Sequence, residues 1–147
     1  MDKRNLVSAQ ENDNISRAML MWLNEFPEKP VYAINYEYLP PDGTGMALST
    51  VQEAYIIKKY MRGGYQGQYQ FKIVYRAQPG NNSGRLQADE VLNAIGDWAS
   101  ARRDFPKIGE KKYIQRIQTN TRAAMFVRYD DGSEDHQILM TVDYVSI

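Results

Sequence analysis

The chain has 147 residues, of which 43 % are hydrophobic and 12 % aromatic, enough to bury the core of one compact domain. Eighteen Lys and Arg residues balance eighteen Asp and Glu residues, so the overall charge provides no electrostatic reason to bind nucleic acid or an anionic membrane. The absence of cysteine excludes disulfides, thiolate metal sites and cysteine nucleophiles.

The N-terminal residues 1–13 are mainly polar and lack the pattern of a signal peptide, and no apolar run reaches the roughly 18–20 residues of a membrane span. We therefore expect a protein that stays in the cytoplasm and has a flexible N-terminal extension over residues 1–13. Asn14 is predicted to cap the first helix. The apolar residues that follow recur at helical spacing: Ile15, Ala18, Met19, Trp22, Leu23 and Phe26.

The middle of the chain predicts strands. Residues 31–39 are rich in β-branched and aromatic types and end at the turn signal Pro40-Pro41-Asp42-Gly43. Residues 46–61 predict one long strand, or two strands broken near Val51 and Gln52. Residues 65–76 alternate between apolar and polar types, which is typical of a half-buried strand. A hairpin with a two- or three-residue loop about Gly63 and Gly64 is therefore expected.

The second half of the chain repeats this order. Asn82 or Ser83 is predicted to cap a helix, and strands are predicted over residues 112–119, 123–129 and 136–145. The turn Asp130-Asp131-Gly132-Ser133 joins the last two strands. The expected fold is one α+β domain over residues 14–147, with a single antiparallel sheet, a long central hairpin and two main helices packed on one side.

No motif for catalysis or cofactor binding is found. The glycines near residue 65 lead into a strand rather than a helix, unlike a phosphate-binding loop, and a G-x-S-x-G nucleophile elbow is absent. His136 is interpreted as a structural histidine, the acidic stretch 130–135 as an exposed hairpin tip, and Asp143 as solvated. We therefore predict a protein that is not an enzyme and needs no metal or cofactor.

The order of several elements resembles a known family. The stretch IIKKYMRGGYQGQYQFKIVYRAQPGNNSGRLQADEVLNAIGDWA, which contains Leu92-x-x-Ile95-Gly96-x-Trp98, is similar to the central part of minor capsid or tail-terminator proteins of long-tailed phages of Gram-positive bacteria. The closing stretch RAAMFVRYDDGSEDHQILMTVDY also resembles the final hairpin of that family. The likeness covers roughly residues 14–147.

The resemblance implies a structural protein of the virion. Such a protein caps the head-proximal end of the tail tube, ends tail polymerisation and presents a surface for head–tail joining, as a ring of six assembled in the bacterial cytoplasm. Its expected partners are copies of itself, the major tail tube protein and the head connector. Double-stranded DNA is expected only as the passing genome.

The charge pattern fits a head-to-tail interface, although two independently solvated surfaces would produce the same pattern. A basic group contains Arg102, Arg103, Lys107, Lys111, Lys112 and Arg116, and an acidic tip contains Asp130, Asp131, Glu134 and Asp135. The hairpin residues expected to act in assembly are Lys58, Lys59, Arg62, Gly63, Gly64, Tyr65, Gln66, Gly67 and Gln68. Gly67 lies on the apolar face of its strand, which indicates a bulge or a close approach by another backbone, with a neighbouring subunit as the candidate for that approach.

Two alternatives remain open from the sequence. The first is a head-completion or connector protein of the phage neck. The second is a module that binds single-stranded nucleic acid or a small ligand on an aromatic sheet, since residues 58–76 contain several Tyr and Phe residues with Lys and Arg among them.

Overall fold

The computed structural model describes residues 5–41 and 43–147. Asp42, part of the expected turn after residue 39, lies outside the described residues. Within them the chain forms two helices and six strands. In chain order these are α1 (Ala9–Leu23), β1 (Ile34–Tyr36), β2 (Gly45–Lys59), β3 (Tyr65–Ala77), α2 (Asn82–Ala101), β4 (Lys112–Thr119), β5 (Ala124–Arg128) and β6 (Glu134–Ser146).

The strands form one sheet in the order β1-β2-β3-β6-β4, and β5 also pairs with β6. The strand β6 is long enough for β4 to pair with its C-terminal half and β5 with its N-terminal half, while β3 covers its whole other side. The predicted α+β class is confirmed. The sheet is largely antiparallel, but β1 pairs with β2 in parallel, so it is mixed rather than purely antiparallel.

The long central hairpin of β2 and β3 is present, but its loop is longer than expected. Lys59 pairs with Tyr65, so five residues (60–64) make the connection rather than two or three. The Tyr60 amide donates to the Gly64 carbonyl at 3.1 Å, and both Gly63 and Gly64 have a positive φ, which glycine adopts at little cost. Of the two alternatives for residues 46–61, one long strand is correct, and the register shifts near Val51 and Gln52 lie within it.

Both helices cover the same face of the sheet. The alternation predicted for β3 is confirmed, because Tyr69, Phe71 and Ile73 are fully buried on this face. The helices meet each other through Trp22 and Trp98, whose ring centroids lie 5.1 Å apart. Neither α1 nor α2 lies over the opposite face, which we call the uncovered face.

The first helix begins earlier than Asn14. Ser8 is its N-cap, and the Ser8 side chain accepts a hydrogen bond from the Glu11 amide at 3.1 Å. Residues 5–13 are therefore joined to the domain rather than extending from it; the Val7 amide, for example, donates to the Ala54 carbonyl at 3.2 Å. The Ser8-x-x-Glu11 spacing is a capping-box signal that indicates this start.

Two other boundaries also differ from expectation. Asn81, not Asn82 or Ser83, caps α2, and its side chain accepts from the Gly84 amide at 2.8 Å. The strand predicted over residues 31–39 is regular only in Ile34–Tyr36. Glu37 adopts a φ of 52°, a left-handed conformation that ends the strand.

Candidate functional site

One end of the sheet collects positive charge. Lys59, Tyr65, Ser146 and Lys112 lie directly opposite one another on β2, β3, β6 and β4, so they form a row across this end, about 14 Å wide for three strand spacings. The hairpin and the connection from α2 to β4 both reach this row. We call the resulting surface the basic end; its cations are Lys58, Lys59, Arg62, Arg103, Lys107, Lys111 and Lys112.

The connection from α2 to β4 borders an open cleft of about 620 Å³, which we call the basic cleft. Its cations are Arg103, Lys107, Lys111 and Lys112, and its one acidic lining residue is Glu110. The rings of Phe105 and Tyr113 contribute apolar wall. The cleft therefore combines a surplus of positive charge with apolar surface, a combination suited to an anionic partner.

The hairpin tip beside this cleft is both cationic and apolar. Ile57, Tyr60 and Met61 are exposed there, and Met61 is fully so. The Lys58 ammonium lies 5.9 Å from the centroid of the Tyr60 ring. Exposed apolar side chains grouped with cations are typical of a surface that binds another protein. These three side chains were not predicted as part of the site, although apolar residues at a glycine-containing turn are a readable signal.

The acidic residues expected at one exposed tip have separate environments. Asp130 and Asp131 are exposed in the turn between β5 and β6, at the opposite end of the sheet from the basic end. Glu134 and Asp135 are buried, so the expectation of a four-residue acidic tip is wrong for both. Because each of the two has arginine partners, its charge is compensated inside the protein.

Glu134 is the centre of a buried ionic cluster. Its carboxylate accepts hydrogen bonds from Arg85 Nε at 2.7 Å and Arg128 Nε at 3.0 Å, and it lies 3.1 Å from His136 Nε2. Burial by itself raises the pKa of Glu134, but the hydrogen bonds from Arg85, His136 and Arg128 outweigh it, so this pKa is lowered. Asp135 forms a bidentate pair with Arg76, at 2.8 and 2.9 Å.

His136 is buried, and its interpretation as a structural residue stays a prediction. Its Nδ1 lies 2.7 Å from Asp89 Oδ1, so both ring nitrogens face carboxylates. No group of three or more His, Asp or Glu side chains in residues 5–41 and 43–147 is arranged to hold a metal ion. The cluster ties α2 to β6.

Asp143 is buried rather than solvated, contrary to expectation. It lies on the uncovered face, where its carboxylate accepts from Gln68 Nε2 at 3.0 Å and pairs with Arg116 at 3.4 Å. Gln68 is also bonded to the Tyr55 hydroxyl, and Gln66 lies on the same face. These contacts cross four strands, so Gln68 and Arg116 stabilise the sheet instead of lying free for assembly.

The close approach at Gly67 comes from its own chain. A methyl group at Gly67 would overlap the ring of Tyr144, which lies opposite on β6. The Tyr144 hydroxyl donates to Glu11 at 2.7 Å, and Tyr65 donates to the same carboxylate. The space beside Gly67 is therefore filled by a side chain of the same chain and not by a backbone: the missing side chain makes room for a phenol that fastens α1 to the sheet. The bulge alternative agrees with the register shift between Ile56 and Lys58 on β2, opposite Gly67.

Arg102 also differs from its predicted role. Its guanidinium lies 4.8 Å from the Trp98 ring and bonds to Asp104, so it does not contribute to the basic cleft. Gly63 and Gly64 shape the turn at the basic end, with Gly64 packed against the Ser146 backbone.

Two of the rings on which the aromatic-sheet alternative depended are not available for stacking, and the alternative itself stays a prediction. Stacking of bases requires exposed rings, whereas Tyr69 and Phe71 are fully buried beneath the helices. The uncovered face presents glutamines, the Asp143 network and the partly exposed Phe126 ring, whose centroid lies 5.1 Å from the Lys72 ammonium.

Comparison with known proteins adds no relative. No family model matches the chain, and no curated protein does. In the described residues, neither helix combines the length and the apolar character that a bilayer crossing requires. Function is therefore inferred from the resemblance in sequence and from the geometry of the surface.

Proposed function

We propose that this protein is a structural, non-enzymatic virion protein that caps the head-proximal end of a phage tail tube. In this role it ends tail polymerisation and presents the surface for head–tail joining, as a ring of six. One observation supports the proposal: unpaired positive charge and exposed negative charge lie at opposite ends of the same sheet.

The separation of the charges favours association between copies. The two ends are about 40 Å apart, the length of a 13-residue strand such as β6. The exposed acids therefore cannot neutralise the basic end of the same molecule, because this distance is several Debye lengths at physiological salt. A surface that meets a different surface on the next copy makes a head-to-tail contact, and such contacts produce either a closed ring or an open filament.

The remaining partners follow from the same role. In a ring, one rim meets the major tail tube protein and the other meets the head connector. The formal net charge of zero suits a channel for double-stranded DNA, because many phosphate contacts would retain the passing genome. The protein is then found at the junction of tail and neck, after assembly in the cytoplasm of the host bacterium.

The test combines electron microscopy with capture of partners. Purified protein is expected to form rings of about six subunits, alone or on the ends of purified tail tubes, and to be retained by immobilised tail tube protein. A second capture experiment tests whether immobilised connector protein retains the protein. Retention by the connector with no binding to tube ends would indicate a head-completion protein instead, and a monomer that binds neither would overturn the proposal.

A further inference from the structure

We propose that the turn carrying Asp130 and Asp131 in one copy docks into the basic cleft of the next copy. The inference rests on the proposed function, since it names the two surfaces that join neighbouring subunits. It differs from a general attraction between ends because it assigns one particular turn to one particular cleft.

Three of the described cations that have no carboxylate partner line the basic cleft. Across residues 5–41 and 43–147, most lysines and arginines have an anionic, carbonyl or aromatic partner within the protein; Arg76, Arg85 and Arg128, for example, pair with buried carboxylates. In the same described residues, no carboxylate pairs with Arg103, Lys107 or Lys111. Three of the four cations of the basic cleft therefore form no ion pair with a carboxylate of the described residues.

The acidic turn is held in a fixed form by its own hydrogen bonds. The Tyr129 amide donates to the Ser133 carbonyl at 2.9 Å, and Asp131 accepts from the Ser133 amide at 2.9 Å and from its hydroxyl at 2.6 Å. These bonds hold the turn in one conformation before binding, which reduces the entropy lost on docking. The hydrogen bonds from Ser133 also lower the pKa of Asp131, so its carboxylate stays ionised at neutral pH.

The turn and the cleft are complementary in size and charge. The cleft volume of about 620 Å³ is within the roughly 300–1,000 Å³ of clefts that enclose compact ligands. Asp130 and Asp131 would lie among three uncompensated cations, and the walls formed by Phe105 and Tyr113 would contact the turn backbone. Such charge pairing sets the register of the subunits and speeds their encounter.

The experiment uses two charge-reversed forms of the full chain. One carries Lys107→Glu and Lys111→Glu, and the other carries Asp130→Lys and Asp131→Lys. Each form alone would bring like charges together at every contact, so each is expected to stay monomeric at concentrations where the original protein associates, as measured by analytical ultracentrifugation. In an equal mixture, alternating copies have opposite charges at every contact, so association is expected to return.

Restored association in the mixture also demonstrates that both forms are folded. The form with both turn substitutions has to show cooperative thermal unfolding. If it does not, a form with Asp130→Lys alone is used in its place, because that change keeps the hydrogen bonds between Asp131 and Ser133. Arg122→Glu is the control: it reverses an exposed cation beyond the far end of β4 and is expected to leave association unchanged.

The outcomes separate the docking contact from the proposed function. The docking contact would be overturned if each charge-reversed form associated by itself. It would also be overturned if two folded forms did not associate when mixed, or if the original protein never associated. Association that requires added DNA would assign the cleft to nucleic acid and overturn it as well. If the two charge-reversed forms associate with each other but never bind tube ends, the docking contact stands and the tail-terminator role is refuted.

Discussion

At the scale of single residues, Gly67 determines how α1 is fastened to the sheet. Its missing side chain makes room for the Tyr144 ring, whose hydroxyl reaches Glu11. The same carboxylate accepts from Tyr65 and lies 3.8 Å from Lys112. One acidic residue on α1 therefore joins three strands, and removing room for Tyr144 disturbs all of these contacts.

Gly67→Ala is expected to lower the free energy of unfolding by about 1–3 kcal/mol, the usual cost of overpacking a core. The added methyl overlaps the Tyr144 ring. Urea denaturation followed by tryptophan fluorescence measures the change. In a Tyr144→Ala background the same substitution should cost much less, because the overlapping ring is gone. An equal cost in the two backgrounds would show that the overlap is not the cause.

The raised pKa of Tyr65 predicts that the folded protein becomes less stable at alkaline pH. Burial, together with the hydrogen bond and the charge of Glu11, raises the pKa of Tyr65 to about 12. A tyrosine in the unfolded chain loses its proton at about pH 10. Between these values the folded protein holds a proton that the unfolded chain has lost, so the contribution of Tyr65 is complete below about pH 10 and disappears as the pH rises to about 12.

The check is urea unfolding from about pH 9 upward, with Tyr65→Phe for comparison. The variant lacks this ionisable group, so its stability should fall less steeply over the same range. Identical slopes for the two proteins would mean that Tyr65 does not retain its proton in the folded state.

At the scale of elements, the turn between β5 and β6 separates two kinds of acid. Asp130 and Asp131 face water, whereas Glu134, only a few residues away, is buried at the start of β6. The difference arises because Arg85 on α2 and Arg128 on β5 reach Glu134. A buried carboxylate is tolerated only where such partners are present.

Glu134→Ala is therefore expected to lower the free energy of unfolding by about 2–3 kcal/mol, because it removes charged hydrogen bonds and leaves His136 without one of its partners. The matched substitution Asp130→Ala, at an exposed position of the same turn, should change stability by less than about 0.5 kcal/mol. Thermal and urea unfolding measure both. Similar losses for the two variants would contradict the division between structural and surface acids.

The elements themselves were predictable to different degrees. The two-residue period of β3 and the apolar stripes of both helices depend on local spacing, so their types followed from the sequence. The N-caps of the two helices, Ser8 and Asn81, were not predicted, although the Ser8-x-x-Glu11 signal was readable. The five-residue hairpin loop was missed because glycines permit several turn lengths, and pairing with β6 selects the register.

At the scale of the whole molecule, the length of β6 predicts the diameter of the proposed ring. If subunits join end to end, their centres are separated by about 40 Å, the length of β6, so a ring of six places them on a circle about 80 Å in diameter. Class averages from negative-stain electron microscopy measure this circle. A diameter near half that value would indicate subunits packed side by side, with the uncovered face or the helices in contact.

The candidate surface depended on the fold more than on the sequence. Lys58 and Lys59 are about 50 residues from Lys107 and Lys111 along the chain, yet sheet pairing places them at the same end. The acidic turn was recognisable locally, but its position at the far end of β6 was not. Sequence spacing reports neighbours along one element, whereas a surface is made from elements that only pairing brings together.

The amino-acid sequence by itself determined the α+β class, the central hairpin and the exposure of Asp130 and Asp131, because these follow from periodicity, turn chemistry and the limits on burying charge. Only the tertiary structure decided that Glu134, Asp135 and Asp143 are buried and that Gly67 accommodates Tyr144. Those environments are created by Arg85, Arg76, Arg116 and Tyr144, which are distant in the chain. Whether a polar group is buried depends on partners that the fold supplies, and local sequence contains no record of them.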